Sequence, residues 1–63
     1  MDSKFSLEEI VLWENELYLV KSVVYMNPDI PSDPFVCGLI PINKPDTYKQ
    51  VLVREGLLKK YKN

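Results

Sequence analysis

EIVLWENELYLVKSVVYM, residues 9–26, is the stretch on which the fold turns. It is dense in Val, Ile, Leu, Tyr and Trp, the side chains that fit a pleated, half-buried surface, and it is broken once, by Glu14-Asn15-Glu16. Two strands joined by a tight turn is the reading, because Asn tolerates the positive φ that short hairpin turns demand. In the second strand, alternation places Tyr18, Val20, Val24 and Met26 on one face with Ser22, and Leu17, Leu19, Val23 and Tyr25 on the other with Lys21. Both faces are largely apolar. A sheet buried on one side alternates more cleanly, so this strand is expected to be central, its outer face covered by a loop, a terminal helix or another molecule.

Upstream, Ser6-Leu7-Glu8-Glu9 matches a capping box and Leu7, Ile10, Val11 and Glu14 follow helical spacing, so a short N-terminal helix within residues 6–14 competes with the first strand. Downstream, Pro28, Pro31 and Pro34 remove backbone donors and make residues 27–34 a loop, long for so small a chain. Long ordered loops often bind, although stiff connectors are as common. Residues 35–42 read as a third strand in which Gly38 marks a bend or close backbone approach and Pro41 an edge or bulge; residues 44–47 form a turn. YKQVLV, residues 48–53, reads as a further strand with Val51 and Val53 inward, followed after Gly56 by a short helical turn over residues 57–61. The alternative is a helix over residues 46–61 with Tyr48, Val51, Leu52, Glu55 and Leu58 on one face, which Gly56 would weaken by ~1 kcal/mol relative to Ala. The expected fold is one small domain over residues 1–63, mainly β, with four to five antiparallel strands and a short C-terminal helical turn; the alternative is α+β.

Sixty-three residues bury only about 60% of the surface their unfolded chain exposes, and a core of that size rarely supplies more than ~3–5 kcal/mol. Cys37 is the only cysteine and there is no histidine, so neither an internal disulfide nor a zinc site of the usual ligands can be built, and self-association or a tight partner gains weight. No metal and no cofactor is expected. The hydrophobic fraction of 46% with 27% charged residues is that of a globular chain. The longest apolar runs, residues 10–13 and 17–20, are far short of the roughly 20 residues that span a bilayer, and no secretory signal opens the sequence. With an unpaired cysteine, the expected setting is cytoplasmic and reducing.

The order Ile10-Val11-Leu12-Trp13, tight turn, Leu17-Tyr18-Leu19-Val20, long polar loop, Ile40-Pro41-Ile42, turn, Val51-Leu52-Val53, then Glu55-Gly56-Leu57-Leu58 resembles an SH3-like small β-barrel of the KOW or Tudor kind over residues 8–61. The resemblance implies short antiparallel strands that close with a helical turn before the last of them. It departs from the pattern where Glu8 and Glu9 stand for the glycine and aspartate that often open the first strand, and where the glycine-rich hairpin of KOW repeats is missing. Compact chains of this type recur among small bacteriophage-encoded proteins.

Chemistry is excluded by missing parts. Cys37 has no histidine to make it a thiolate and reads as a small core residue; Gly38 and Gly56 are too few for a phosphate loop; the pairs Glu8/Glu9 and Glu14/Glu16 read as solvated turn residues rather than the walls of a cleft. No catalysis is expected. Net charge is −1, but residues 1–33 hold seven acids against two lysines and residues 34–63 six cations against two acids. The halves either pair across the fold or orient a partner, and pairing is the simpler account. Trp13, Tyr18, Tyr25, Phe35 and Tyr48 are too many aromatics for so small an interior, so those left outside are the anchors expected of a protein-binding module, an inhibitor or accessory factor, with Trp13 first among them. The other reading is nucleic-acid binding through Lys49, Arg54, Lys59, Lys60 and Lys62, with Tyr48 and Tyr61 stacking on bases, against which the acidic first half would repel the same phosphates.

Overall fold

The computed structural model describes residues 3–26, 28–44 and 49–61. It is mainly β: five antiparallel strands, β1 (Ile10–Trp13), β2 (Glu16–Tyr25), β3 (Phe35–Pro41), β4 (Val51–Arg54) and β5 (Lys59–Lys60), form one sheet in the order β4-β3-β2-β1-β5. A single 3-10 turn, Glu55–Leu57, links the last two. β2 is central, as its two apolar faces predict.

β1 and β2 meet in a two-residue turn, with Trp13 opposite Glu16. Both turn residues have positive φ, 52° at Glu14 and 64° at Asn15, the geometry whose twist matches that of the flanking strands. The competing helix within residues 6–14 does not form, and a single turn stands in its place. Half of the capping box does form, for the Ser6 amide donates to Glu9 Oε1 at 3.0 Å. Glu8 at φ 69° then ends any helical path, and its amide donates to the Val20 carbonyl at 2.7 Å, so the chain enters the sheet instead.

The inner face of the sheet carries Val11, Tyr18, Val20, Cys37, Leu39 and Val53, closed over by Phe5 and Leu58. Alternation along β2 is interrupted between Val20, opposite Leu39, and Ser22, opposite Gly38, where Lys21 is an extra residue. This bulge reverses the phase assigned to the second half of the strand: Val23, opposite the buried Cys37, packs against the core, while Val24 turns outward. Gly38 is the close approach its position suggested, since a Cβ there would collide with Ser22 Oγ and Gln50 Oε1, which are hydrogen-bonded to each other at 2.7 Å across it. Pro41 lies beyond the last β3–β4 pair, Leu39 with Val51, so its missing N–H leaves no ladder bond unmade.

The helix over residues 46–61 does not form. β4 pairs with β3 from Val51 to Arg54, which gives Val53 a place in the core, whereas Val51, also inward in phase, is exposed at the strand's start. The helical turn lies two residues earlier than expected, and Lys59 and Lys60 leave it to pair with Leu12 and Val11. Glu55 explains the placement. Its buried carboxylate accepts from Ser3 Oγ and from the Lys4 amide at 2.9 Å, tying the N-terminal segment to the turn and setting Phe5 into the core.

The outermost strands of a flat five-stranded sheet lie roughly 19 Å apart, four spacings of ~4.8 Å. Residues 55–58 must bridge them, and with three of the four in a 3-10 turn rising ~2 Å per residue they reach much less than that. The sheet is therefore curled. It is not closed, for among the described residues no ladder joins β4 to β5.

Candidate protein-binding surface

The five aromatic residues of the expected anchor set separate. Tyr18 belongs to the core; its hydroxyl donates to Glu16 Oε2 at 3.3 Å, and burial, then the charge of Glu16, raises its pKa above the usual value. Trp13 is half-buried, packed on that core with its ring centroid 5.6 Å from that of Tyr18. Its remaining surface lines a depression of about 200 Å³ with Leu12, Glu14, Asn15, Leu57 and Lys59. Tyr48 lies outside the described residues.

Tyr25 and Phe35 form a pair of their own at the opposite end of β2. They face each other across β2 and β3 with ring centroids 5.4 Å apart and planes at 65°, an edge-to-face contact, and Tyr25 remains 58% exposed. Tyr18 and Tyr25 are seven residues apart along β2, roughly 23 Å at strand rise, so the two aromatic pairs cannot serve one small contact. Met26, 54% exposed, follows Tyr25 directly, and Ile30 is exposed on the loop between the two rings.

That loop is tied down at three points. The Met26 amide donates to the Pro34 carbonyl at 3.0 Å, closing the base, and the Asp33 amide donates to the Ile30 carbonyl at 3.0 Å, a turn with Pro31 at the position that favours it. The Gly56 amide donates to Asp33 Oδ1 at 3.0 Å, fastening the loop to the 3-10 turn. Sequence reasoning recognised the loop and its prolines; the Asp33 fastening joins residues 23 positions apart and left no local signal.

The cations come from three segments. Arg54 is on β4 and Lys59 and Lys60 are on β5, the two edges of the sheet; Lys49 is exposed ahead of β4, and Lys62 lies outside the described residues. Acids accompany several of them. Arg54 Nε is 3.9 Å from Asp33 Oδ2, Lys21 Nζ is 2.9 Å from Glu8 Oε1, and Lys59 shares the Trp13 depression with Glu14. The acidic and basic halves of the sequence thus meet across the fold at Arg54–Asp33.

Cys37 is fully buried, and burial, followed by the charges of Glu55, Glu9 and Asp33, pushes its pKa from 9.0 to about 11. At neutral pH it is a thiol, a small apolar core group. Among the described residues no group of three or more acid or thiol ligands gathers, and no helix is long and apolar enough to cross a membrane. No protein-family model, curated protein or solved structure matches the chain.

Proposed function

We propose that this chain is a small noncatalytic protein-binding module, an inhibitor or accessory factor, that docks on a larger protein through Tyr25, Phe35 and Met26. The observation that carries the reading is the edge-to-face pair of the exposed Tyr25 and the half-buried Phe35 beside a loop held by three hydrogen bonds. Rings fixed before binding lose little conformational freedom on docking, and tyrosine at the centre of an interface contributes out of proportion to its area. The connectivity, with a 3-10 turn carrying the chain from β4 to a last strand on β1, supports an SH3-like small barrel as the family of architectures to which the module belongs. The unpaired, buried thiol suits a cytoplasmic setting. A buried Cys37 and the lack of any histidine favour binding over catalysis.

The test is a pull-down with the wild-type chain beside Tyr25→Ser and Phe35→Ser, each confirmed folded by circular dichroism. A partner retained by the wild type and lost by both variants supports the reading; the same set retained by all three overturns it. A labelled oligonucleotide at low salt is the second arm. A shift that reversal of Lys59 and Lys60 abolishes would put nucleic-acid binding in the place of protein binding.

A further inference from the structure

Two neighbouring residues of the 3-10 turn hold two distant parts of the chain. Glu55 is 5% exposed, and its carboxylate accepts from Ser3 Oγ and from the Lys4 amide at 2.9 Å, with Phe5 following into the core. The Gly56 amide donates to Asp33 Oδ1 at 3.0 Å, in the loop of residues 28–34. One peptide unit stands between these ties, because the Glu55 carbonyl and the Gly56 N–H lie in the same rigid plane. That carbonyl also accepts from the Leu58 amide at 3.1 Å, the bond that closes the turn.

We infer that the turn is a relay: seating of Ser3–Phe5 against Glu55 fixes the peptide plane that holds Asp33, and so sets the order of the loop beside Tyr25 and Phe35. The consequence for docking rests on the role proposed above; the relay itself does not. Glu55 has two favourable positions and little between them. A buried carboxylate has lost its hydration and is tolerated only where other donors replace the water. Seated, Glu55 has Ser3 and Lys4 as those donors; without them it belongs in solvent, and the outward swing is taken up in part by the backbone of a turn that one hydrogen bond closes.

Gly56 makes the second tie sensitive to such a movement. A Cβ at this position would stand 2.7 Å from Asp33 Oδ2 and 3.0 Å from its Cγ, so the carboxylate lies directly against the backbone of the turn. A small tilt of the plane therefore either lengthens the Gly56–Asp33 hydrogen bond or closes the contact. Arg54 Nε, 3.9 Å from Asp33 Oδ2 and half-exposed, is too far to hold the loop in its place. The other two bonds of the loop, Met26 amide to Pro34 carbonyl and Asp33 amide to Ile30 carbonyl, are made at its base and within it. With the Gly56 bond released, the base and the aromatic pair stay, and the stretch from Ile30 to Asp33 gains freedom that docking must then remove at a cost in affinity. The coupling runs both ways, so a partner that orders the loop also tightens the seat of Ser3–Phe5.

Amide hydrogen exchange of the full chain, followed by NMR, tests the relay, with the slowest sheet amides used to correct for any change in global stability. Ser3→Ala takes one donor from Glu55 and leaves Gly56 and Asp33 as they are. It is expected to speed exchange at the Lys4, Gly56 and Asp33 amides together, by about fivefold or more. Glu55→Gln, a weaker acceptor of the same shape, gives the same pattern. Gly56→Ala displaces Asp33 without altering Glu55, and by reciprocity it speeds exchange at the Lys4 amide by a similar factor. Faster exchange at Lys4 alone in Ser3→Ala and Glu55→Gln, with Gly56 and Asp33 at wild-type rates, overturns the relay. So does a Gly56→Ala chain in which Asp33 is freed and Lys4 stays protected. The readout needs no partner, so its outcome is separate from that of the pull-down with Tyr25→Ser and Phe35→Ser.

Discussion

Alkaline pH is expected to weaken this fold, with the thiol of Cys37 supplying much of the effect. Cys37 sits in β3 with Val23 and Val53 on either side, has no exposed surface, and titrates at about 11 rather than 9.0 because burial first, and neighbouring carboxylates second, disfavour its thiolate. In the unfolded chain the thiol returns to its ordinary value. Between about pH 9 and about pH 11 the unfolded state gives up this proton and the native state keeps it. The native state then binds more protons, so stability falls as pH rises through that window, and below it the contribution is constant. Two pH units at about 1.4 kcal/mol each give roughly 2–3 kcal/mol lost by pH 11, and about 2 kcal/mol by pH 10.5. Against a core worth ~3–5 kcal/mol, that is most of the margin. Tyr18, also raised from its usual 10.0, adds to the loss with the same sign at the upper end of the range. The assay is urea unfolding of the wild type and Cys37→Ala at several pH values from about 8 to about 10.5. Cys37→Ala starts less stable by about 1 kcal/mol, for the small cavity it leaves, and then declines more gently, so that the two curves converge and cross. Parallel curves would refute the reasoning, because the alkaline loss would then belong to other groups.

Two further substitutions probe how the chain is held together. Gly38→Ala places a Cβ against Ser22 Oγ and Gln50 Oε1 and destabilises by about 1 kcal/mol; adding both Ser22→Ala and Gln50→Ala relieves most of that, so simple additivity of the changes would contradict the close approach. Glu55→Ala takes the acceptor from the Lys4 amide, while Ser3 Oγ keeps the Phe5 carbonyl at 3.0 Å, and costs about 1–3 kcal/mol. Its signature is hydrogen exchange at the Lys4 amide, protected in the wild type and fast in the variant; unchanged protection would mean that something else holds Phe5 in the core.

The parts of the fold legible in the sequence are those set by local chemistry. Asn15 at φ 64°, the three prolines of the 27–34 loop, and the density of branched and aromatic residues from Ile10 to Val20 each act over a few residues, and each predicts the structure at its own position. The two places where helix and strand compete are decided at a distance. Ser6-Leu7-Glu8-Glu9 does engage its own backbone, yet one hydrogen bond from the Glu8 amide to Val20 commits it to the sheet. The C-terminal segment carries both helical and strand spacing, and the choice is made by a buried carboxylate 51 residues from its backbone donor. Such pairings have no period to read. The proposed anchor pair was legible in kind and not in place: the sequence holds more aromatics than a core needs, but only the register of β2 against β3 puts Tyr25 beside Phe35 beyond the end of that core.

The bulge at Lys21 bears on whether the outer face is a surface in its own right. A strand with an extra residue changes phase midway, and read with uniform alternation it looks apolar on both sides even when one side is buried throughout. Part of the two-faced character of β2 has this origin, since Val23 crosses to the core once the bulge is counted. Leu17 and Leu19 do not, for they precede the bulge and stay in phase with the outward side of β1 and β3. Their neighbours on that side, Ile10, Leu12 and Ile40, are all aliphatic, although polar side chains there would cost the inner core nothing. Past the bulge the outer side stays apolar, with Val24 43% and Leu52 60% exposed, while Ile10, Leu19 and Ile40 before it are half-buried, so the two-faced character of β2 is in part genuine and in part a change of phase.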